Sequence, residues 1–290
     1  MSASSALAPI LGHLRAERSR TWSIIITLYG DAVVPRGGTL GLGTLLEIFA
    51  ALEIGGNVVR TAMSRLASDG WLERIRVGRN AFYRLADKGR ETFAAAALRI
   101  YGPHRQEWDG VFHLALLDGG DRDAARSALE AAGYTPVAPG LFLAVALRPN
   151  ADAVSAEVIR LNATTDAESA RRLARQVCLP ERLEQGYRRF LASFAPLRDA
   201  FTSGVAVPDR EALVARLLLV HEYRRLVLRD PMLPAALLPE DWPGHAARML
   251  CSALYPALLP GSERWLDENA LNQYGPLPAP DASLYSRFRS

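Results

Sequence analysis

The chain has 290 residues, 49% of them apolar and 22% charged, which allows substantial cores and excludes disorder throughout. Cys178 and Cys251 have no Cys-x-x-Cys partner, so they read as buried thiols in a reducing cytoplasm and not as a disulfide framework or zinc site. No apolar run approaches a bilayer span, and the first residues lack the pattern of a signal peptide, so a cytoplasmic protein without membrane contact is expected.

Residues 1–19 carry no pattern and are expected to be flexible. Two helices follow, Trp22 to Tyr29 and Thr44 to Ile54, separated by a Pro35-Arg36-Gly37-Gly38 loop. A third helix opens near Asn57, whose side chain suits an N-cap, and ends at Asp69-Gly70. Val58, Val59, Ala62, Met63 and Leu66 recur at helical spacing and form its apolar face. Arg60, Thr61, Ser64 and Arg65 fall on the other face, without a carboxylate among them. Such a face suits the major groove, where Arg can donate twice to a guanine edge. An ordinary amphipathic surface helix is the alternative reading of this segment alone.

Trp71 to Val77 and Ala81 to Leu85 are rich in β-branched and aromatic residues, and Gly78-Arg79-Asn80 supplies the turn between them. Arg74, Arg76, Arg79 and Arg84 surround that turn, where cations can follow a DNA backbone or enter the minor groove. Three helices and then a hairpin make the order of a winged helix-turn-helix. Charge agrees: residues 57–105 hold ten Lys or Arg and four Asp or Glu, a balance of +6, against +3 for the whole chain. Asn57, Arg60, Thr61, Ser64, Arg65, Arg74, Arg76, Arg79 and Asn80 are therefore the candidate DNA-binding residues.

An alanine-rich helix from Asp87 to Tyr101 follows, a connector or dimer contact, and Gly102-Pro103 closes a first domain over residues 20–103. Beyond it the order is strand (Val111 to Leu117), helix (Asp121 to Ala132), two strands (Tyr134 to Val137, Leu141 to Leu147) and a helix over residues 150–161 capped by Asn150. That succession suggests a small ferredoxin-like α+β domain over residues 104–178. Residues 179–274 read as an all-helical domain: Pro180 to Ala195, Asp209 to Leu228 and Gly244 to Leu259, with a stiff proline-rich connection from Arg229 to Gly244. The tail 275–290, with three prolines, is expected to be poorly ordered. The fold class is thus α+β in three parts.

Several segments in this order resemble the PaaX family, over about residues 20–270: TLYGDAVVPRGG (27–38), VVRTAMSRLASDGWL (58–72), FYRLADKGR (82–90), HEYRRLVLRDPMLP (221–234) and LLPEDWPG (237–244). The resemblance implies a repressor of phenylacetate-type aromatic-acid catabolism. It implies a middle domain similar to the small CRISPR spacer-acquisition endoribonuclease, for dimerisation and ligand sensing. It also implies a homodimer on a pseudo-palindromic operator, released by an aryl-acyl-CoA such as phenylacetyl-CoA bound between the middle and C-terminal domains. An acyl-CoA-responsive activator with the same DNA contacts is an open alternative.

Three constellations bear on chemistry. Asp118, Asp121 and Asp123 follow the first middle-domain strand. In the CRISPR relatives an Asp there binds metal, which leaves a metal-dependent nuclease open; helix capping is the alternative. His221-Glu222-Tyr223-Arg224-Arg225 starts like a zinc-protease helix but lacks the second His. An internal polar network around Glu222 is one reading. The other is a pocket in which His221, Arg224, Arg225, Arg229 and Trp242 form the ligand-binding set, with guanidinium groups on CoA phosphates. No nucleophile elbow, P-loop or dinucleotide fingerprint is present, so no catalytic residue, metal or cofactor is assigned, and the chain is expected not to be an enzyme.

Overall fold

The computed structural model describes residues 8, 10–12, 21–103, 107–118, 122–147 and 158–289. It mixes helices with small antiparallel sheets, and its chain forms two compact units.

The first unit holds Met1–Pro103, Gly186–Leu228 and Pro243–Ser290. Helix α1 (Thr21–Leu28) is apolar on nearly every side, with Ile24, Ile25, Ile26 and Leu28 buried. It widens into a π-helical turn (Tyr29–Val33) and then tightens into a 3-10 turn (Val34–Arg36). Gly37 and Gly38, at φ 87° and 76°, then turn the chain into strand β1 (Thr39–Gly41). Helices α2 (Leu42–Ala51) and α3 (Gly56–Ser68) follow, then strands β2 (Leu72–Val77) and β3 (Asn80–Leu85). The sheet order is β1-β3-β2, antiparallel throughout. Helix α4 (Asp87–Tyr101) closes this stretch. It starts close against the hairpin, because a Cβ on Gly89 would stand 2.6 Å from Leu85 Cδ1.

The second unit holds His104–Gln185 and Arg229–Trp242. Strand β4 (Phe112–Leu117), helix α5 (Arg122–Ala131), strands β5 (Thr135–Ala138), β6 (Leu141–Ala144) and β7 (Val158–Ala163), and helix α6 (Ala167–Cys178) follow in order. The strands form an antiparallel sheet in the order β5-β6-β4-β7. Ala115, Phe142 and Ala144 of the sheet pack with Leu129, Ala132 and Tyr134.

Helix α7 (Glu181–Thr202) begins in the second unit and continues in the first, which also contains α8 (Asp209–Val227), α9 (Pro243–Asn269), the short strands β8 (Leu271–Asn272) and β9 (Gly275–Pro276), and a last turn α10 (Ser283–Ser286). Residues Ala212 to Tyr223 of α8 are all buried. A helix hidden on every side needs neighbours all round. α1 and α9 both pack against it, so residues 20–103 do not form a unit apart from the helices of 179–274.

Four further expectations are corrected. Residues 158–161, expected to be helical, belong to edge strand β7; the rest of that expected helix and Asn150 lie outside the described residues. The run V-I-R-L-N-A pairs with β4, which supplies the hydrogen bonds a helix would have made internally. α9 runs past Pro256 and Pro260 to Asn269. The tail is packed, with Leu277, Leu284 and Phe288 buried. Its prolines limit it to short elements but also reduce the entropy lost on docking. Finally α3 is capped by Gly55, and Asn57 lies inside the helix, its carbonyl accepting from Thr61 Oγ1 at 2.9 Å.

Candidate nucleic-acid interface

Helix α3 buries Val59, Met63 and Leu66, one stripe at i, i+4 and i+7. Val58, expected on that stripe, is 53% exposed, because it lies a residue too early to share the face. Arg60, Thr61, Ser64 and Arg65 are consequently all exposed along the opposite side. The face is not wholly without a carboxylate. Arg65 Nε lies 3.7 Å from Asp69 Oδ2 one turn on, with the Arg65 side chain still 73% exposed. Such a loose surface pair holds the guanidinium weakly.

The hairpin adds cations from β2 and its turn. Register pairs Arg74 with Tyr83, Arg76 with Ala81 and Val77 with Asn80, so Gly78-Arg79 forms the tip. Gly78 has φ 59°, the left-handed geometry that glycine adopts without strain. The side chains of Arg60, Arg74, Arg76 and Arg79 make no hydrogen bond or ion pair among the described residues. Arg84 differs: its Nε donates to Glu73 Oε2 at 3.2 Å across the strands. Exposed cations with no internal partner can bind an external polyanion without first giving up a protein contact.

The residues expected to bind a ligand divide between two places. His221 has no exposed surface, and its Nδ1 lies 2.9 Å from Thr27 Oγ1. Burial pushes its imidazole down to about 3, so it is neutral at pH 7. Arg224 Nε donates to the same hydroxyl at 2.6 Å and its Nη2 to Ser23 O at 2.9 Å, with burial lowering the guanidinium to about 10. Arg225 pairs Glu222 at 3.1 Å. His221 and Arg224 thus join α8 to α1, and the internal network is the better description of these residues. Arg229 is exposed in the second unit.

Trp242 belongs elsewhere. It lines a cleft of about 480 Å³ within the second unit, with Arg172, Arg175, Gln176, Leu179 and Pro239. Glu181 and Glu184, in the first turn of α7, are also on its wall. Arg172 and Arg175 were not anticipated. Their helix was not assigned from the sequence either, although its signals are local. Asp166 caps it, accepting from Ser169 N at 2.9 Å, and that bond holds its carboxyl at about 2. Ala170, Ala174 and Cys178 mark its buried side at steps of four.

A second unanticipated cluster surrounds Asp31 in the π-helical turn. Arg216 Nε donates to Asp31 Oδ2 at 2.7 Å, while Tyr101 and Tyr255 donate to Oδ1 at 2.8 and 2.9 Å. Arg287 of the tail also donates to Oδ1 at 2.9 Å. Burial works to raise the Asp31 pKa, but Arg216 and Arg287 outweigh it and hold the carboxyl below the usual range. Arg216 also pairs Glu263, which accepts from Arg36 Nε at 2.9 Å.

Residues 20–89 match the family model described as PaaX-like protein, and residues 180–268 the one described as PaaX-like protein C-terminal domain. Transcriptional repressor PaaX of Escherichia coli (strain K12) is 36% identical over 283 residues, which cover 92% of this chain and 89% of that protein. The chain belongs to the PaaX family. A solved structure, Uncharacterized protein Rv0674 from Mycobacterium tuberculosis, is similar at a TM-score of 0.50 and 25% identity, covering 76% of this chain and 88% of that one. The Escherichia coli relative is a regulator of transcription and not an enzyme. In this PaaX-family chain the TLYGDAVVPRGG segment supplies both Asp31 and Arg36 to the buried ion network, so that motif marks packing between α1 and the C-terminal helices.

Asp118 is exposed just beyond β4, Asp123 is in the first turn of α5, and Asp121 lies outside the described residues. Among the described residues no three His, Cys, Asp or Glu side chains come together as a metal site, and no helix is long and apolar enough to cross a membrane.

Proposed function

We propose that the chain is a DNA-binding transcriptional repressor of an aromatic-acid catabolic operon of the phenylacetate type. The observation that carries this reading is the exposed α3 face of Arg60, Thr61, Ser64 and Arg65 next to a hairpin whose Arg74, Arg76 and Arg79 have no partner among the described residues. Helix, helix and hairpin in that order support a winged helix-turn-helix, with α3 in the major groove and Arg76, Arg79 and Asn80 on the backbone or in the minor groove. The β-α-β-β order and antiparallel sheet of the second unit support a ferredoxin-like domain. A homodimer would set two α3 helices on half-sites about one helical turn, or a whole multiple of it, apart, hence a pseudo-palindromic operator.

The effector in this reading is an aryl-acyl-CoA such as phenylacetyl-CoA, acting in the cytoplasm. The cleft of Arg172, Arg175 and Trp242 supports it chemically: guanidinium groups suit phosphates, and an indole suits a flat ring. Release from DNA requires the ligand to prefer a DNA-incompetent state. The test is a gel shift with duplex from upstream of the chain's own catabolic genes, titrated with phenylacetyl-CoA and with free CoA. Sequence-specific binding, relieved by the thioester and not by CoA, is expected. The Arg172→Ala/Arg175→Ala double variant should bind the operator normally but need at least tenfold more thioester. Failure to bind any DNA fragment overturns the reading.

A further inference from the structure

The hairpin of β8 and β9 follows α9 and lies against the sheet that carries the wing. β8 packs on β1, where Leu271 O stands 3.2 Å from the place a Cβ on Gly41 would occupy. Gly41 pairs with Phe82, two residues from the Asn80 end of the wing turn. The hairpin is also tied to the first turn of α2. Leu271 N donates to Thr44 Oγ1 at 3.3 Å, and Thr44 Oγ1 donates to Asn269 O at 3.4 Å.

Its tip presents one large side chain. Tyr274 is 89% exposed, more than any other large apolar or aromatic residue described. The backbone beneath it is held: Tyr274 N donates to Asn272 Oδ1 at 2.8 Å, and Gly275 has φ 134°, a geometry suited to glycine. An aromatic ring left in water on a braced turn gives up the burial it could have had in the fold.

In helix-turn-helix docking the first helix of the pair crosses the sugar-phosphate backbone while the second enters the major groove. Here that first helix is α2, and the β8–β9 hairpin is fastened to its N-terminal turn. The wing, whose strand β3 pairs with β1, is the other backbone-contacting part in such docking. A hairpin that packs on β1 and bonds the first turn of α2 adjoins both of these parts and is placed to meet phosphates itself, and a tyrosine hydroxyl is an ordinary donor to them.

We propose that Tyr274 is a further contact to the backbone of duplex DNA, presented beside the wing by the C-terminal hairpin. This rests on the repressor reading above. A neutral hydroxyl contact differs measurably from an arginine contact, because it releases no counterion.

The test is fluorescence anisotropy of operator and non-operator duplexes at two salt concentrations, with the full chain carrying Tyr274→Ala, Tyr274→Lys or Arg79→Ala. Tyr274→Ala should weaken binding roughly threefold to tenfold on both duplexes with the salt slope unchanged. Tyr274→Lys should restore affinity and steepen the slope by about one counterion. The exposed position should leave the melting temperatures of both Tyr274 variants at the wild-type value. Wild-type affinity and slope for both, while Arg79→Ala binds less well, would overturn the Tyr274 contact and leave the repressor reading intact; a Tyr274 kept exposed for a protein partner would give that result. Absence of DNA binding by the wild-type chain removes both.

Discussion

Arg216 and Asp31 form an ion pair of 2.7 Å between side chains that have essentially no exposed surface. They are 185 residues apart in sequence, one in the turn after α1 and the other in the middle of α8. The pair is satisfied on every side by Tyr101, Tyr255, Arg287 and Glu263. It joins the turn after α1 to the helices and tail that follow it by two hundred residues or so, and it carries the first of four predictions.

Asp31→Ala leaves two buried guanidinium groups short of their partner. Removing one member of a buried pair costs about 3–5 kcal/mol, mostly through the charge left behind. Urea unfolding should show a loss of that size. Replacing Asp31 and Arg216 together by apolar residues of similar volume should recover part of it. A double variant as unstable as the single would refute the account of uncompensated charge.

Phe288 tests whether the tail is part of the same core. Its ring lies 5.1, 5.2 and 5.7 Å from those of Tyr101, Tyr255 and Tyr223, and the residue is 3% exposed. Phe288→Ala should cost about 3–5 kcal/mol, as a buried Phe→Ala change does. Its thermal unfolding should move down well below the wild-type midpoint; an unchanged midpoint would mean the tail is not docked in solution.

His221 gives a pH dependence with a definite sign. Its imidazole is held at about 3 by burial, against 6.5 for a free histidine. The unfolded chain therefore takes up this proton first. The stability contribution is full above pH 6.5 and is lost as pH falls from there towards 3. The slope from this one group approaches about 1.4 kcal/mol per pH unit inside that window. His221→Gln should flatten stability against pH between 6 and 4, measured by urea unfolding, whatever it does to stability at pH 7. An unaltered slope would place the titration elsewhere.

Arg60 and Arg79 should fail differently on DNA. Arg60 lies on the exposed face of α3 and Arg79 at the wing tip. Arg60→Ala should lose about 1–3 kcal/mol of discrimination between operator and mutated operator. Arg79→Ala should weaken all duplexes alike and reduce the salt slope by about one. Gel shifts at two salt concentrations separate the two; equal loss at every sequence for both variants would refute the division.

The exposed basic face of α3 and the hairpin after it were legible in the sequence because their signals are local. A stripe of Val59, Met63 and Leu66, a Gly78-Arg79 turn and a run of arginines each declare themselves within a few residues, and the charge imbalance needs no structure at all. Even local patterns left ambiguity at their margins. Val58 was assigned to the buried face although it sits one residue from it, since a face changes by about 100° per residue, and the cap falls at Gly55, two residues before Asn57. The family, too, was readable, since its motifs are contiguous segments. What only the tertiary structure decided is which side chains meet across long separations. His221 and Arg224 could have lined a cavity or filled a core with identical sequence around them. The approach of α1, whose Thr27 and Ser23 take their hydrogen bonds, settled it as core. The same holds for Asp31 with Arg216, and for a tail whose prolines suggested disorder until Tyr101, Tyr223 and Tyr255 gave Phe288 somewhere to be buried. Periodicity along one segment says which face seeks cover; only the folded chain supplies what covers it.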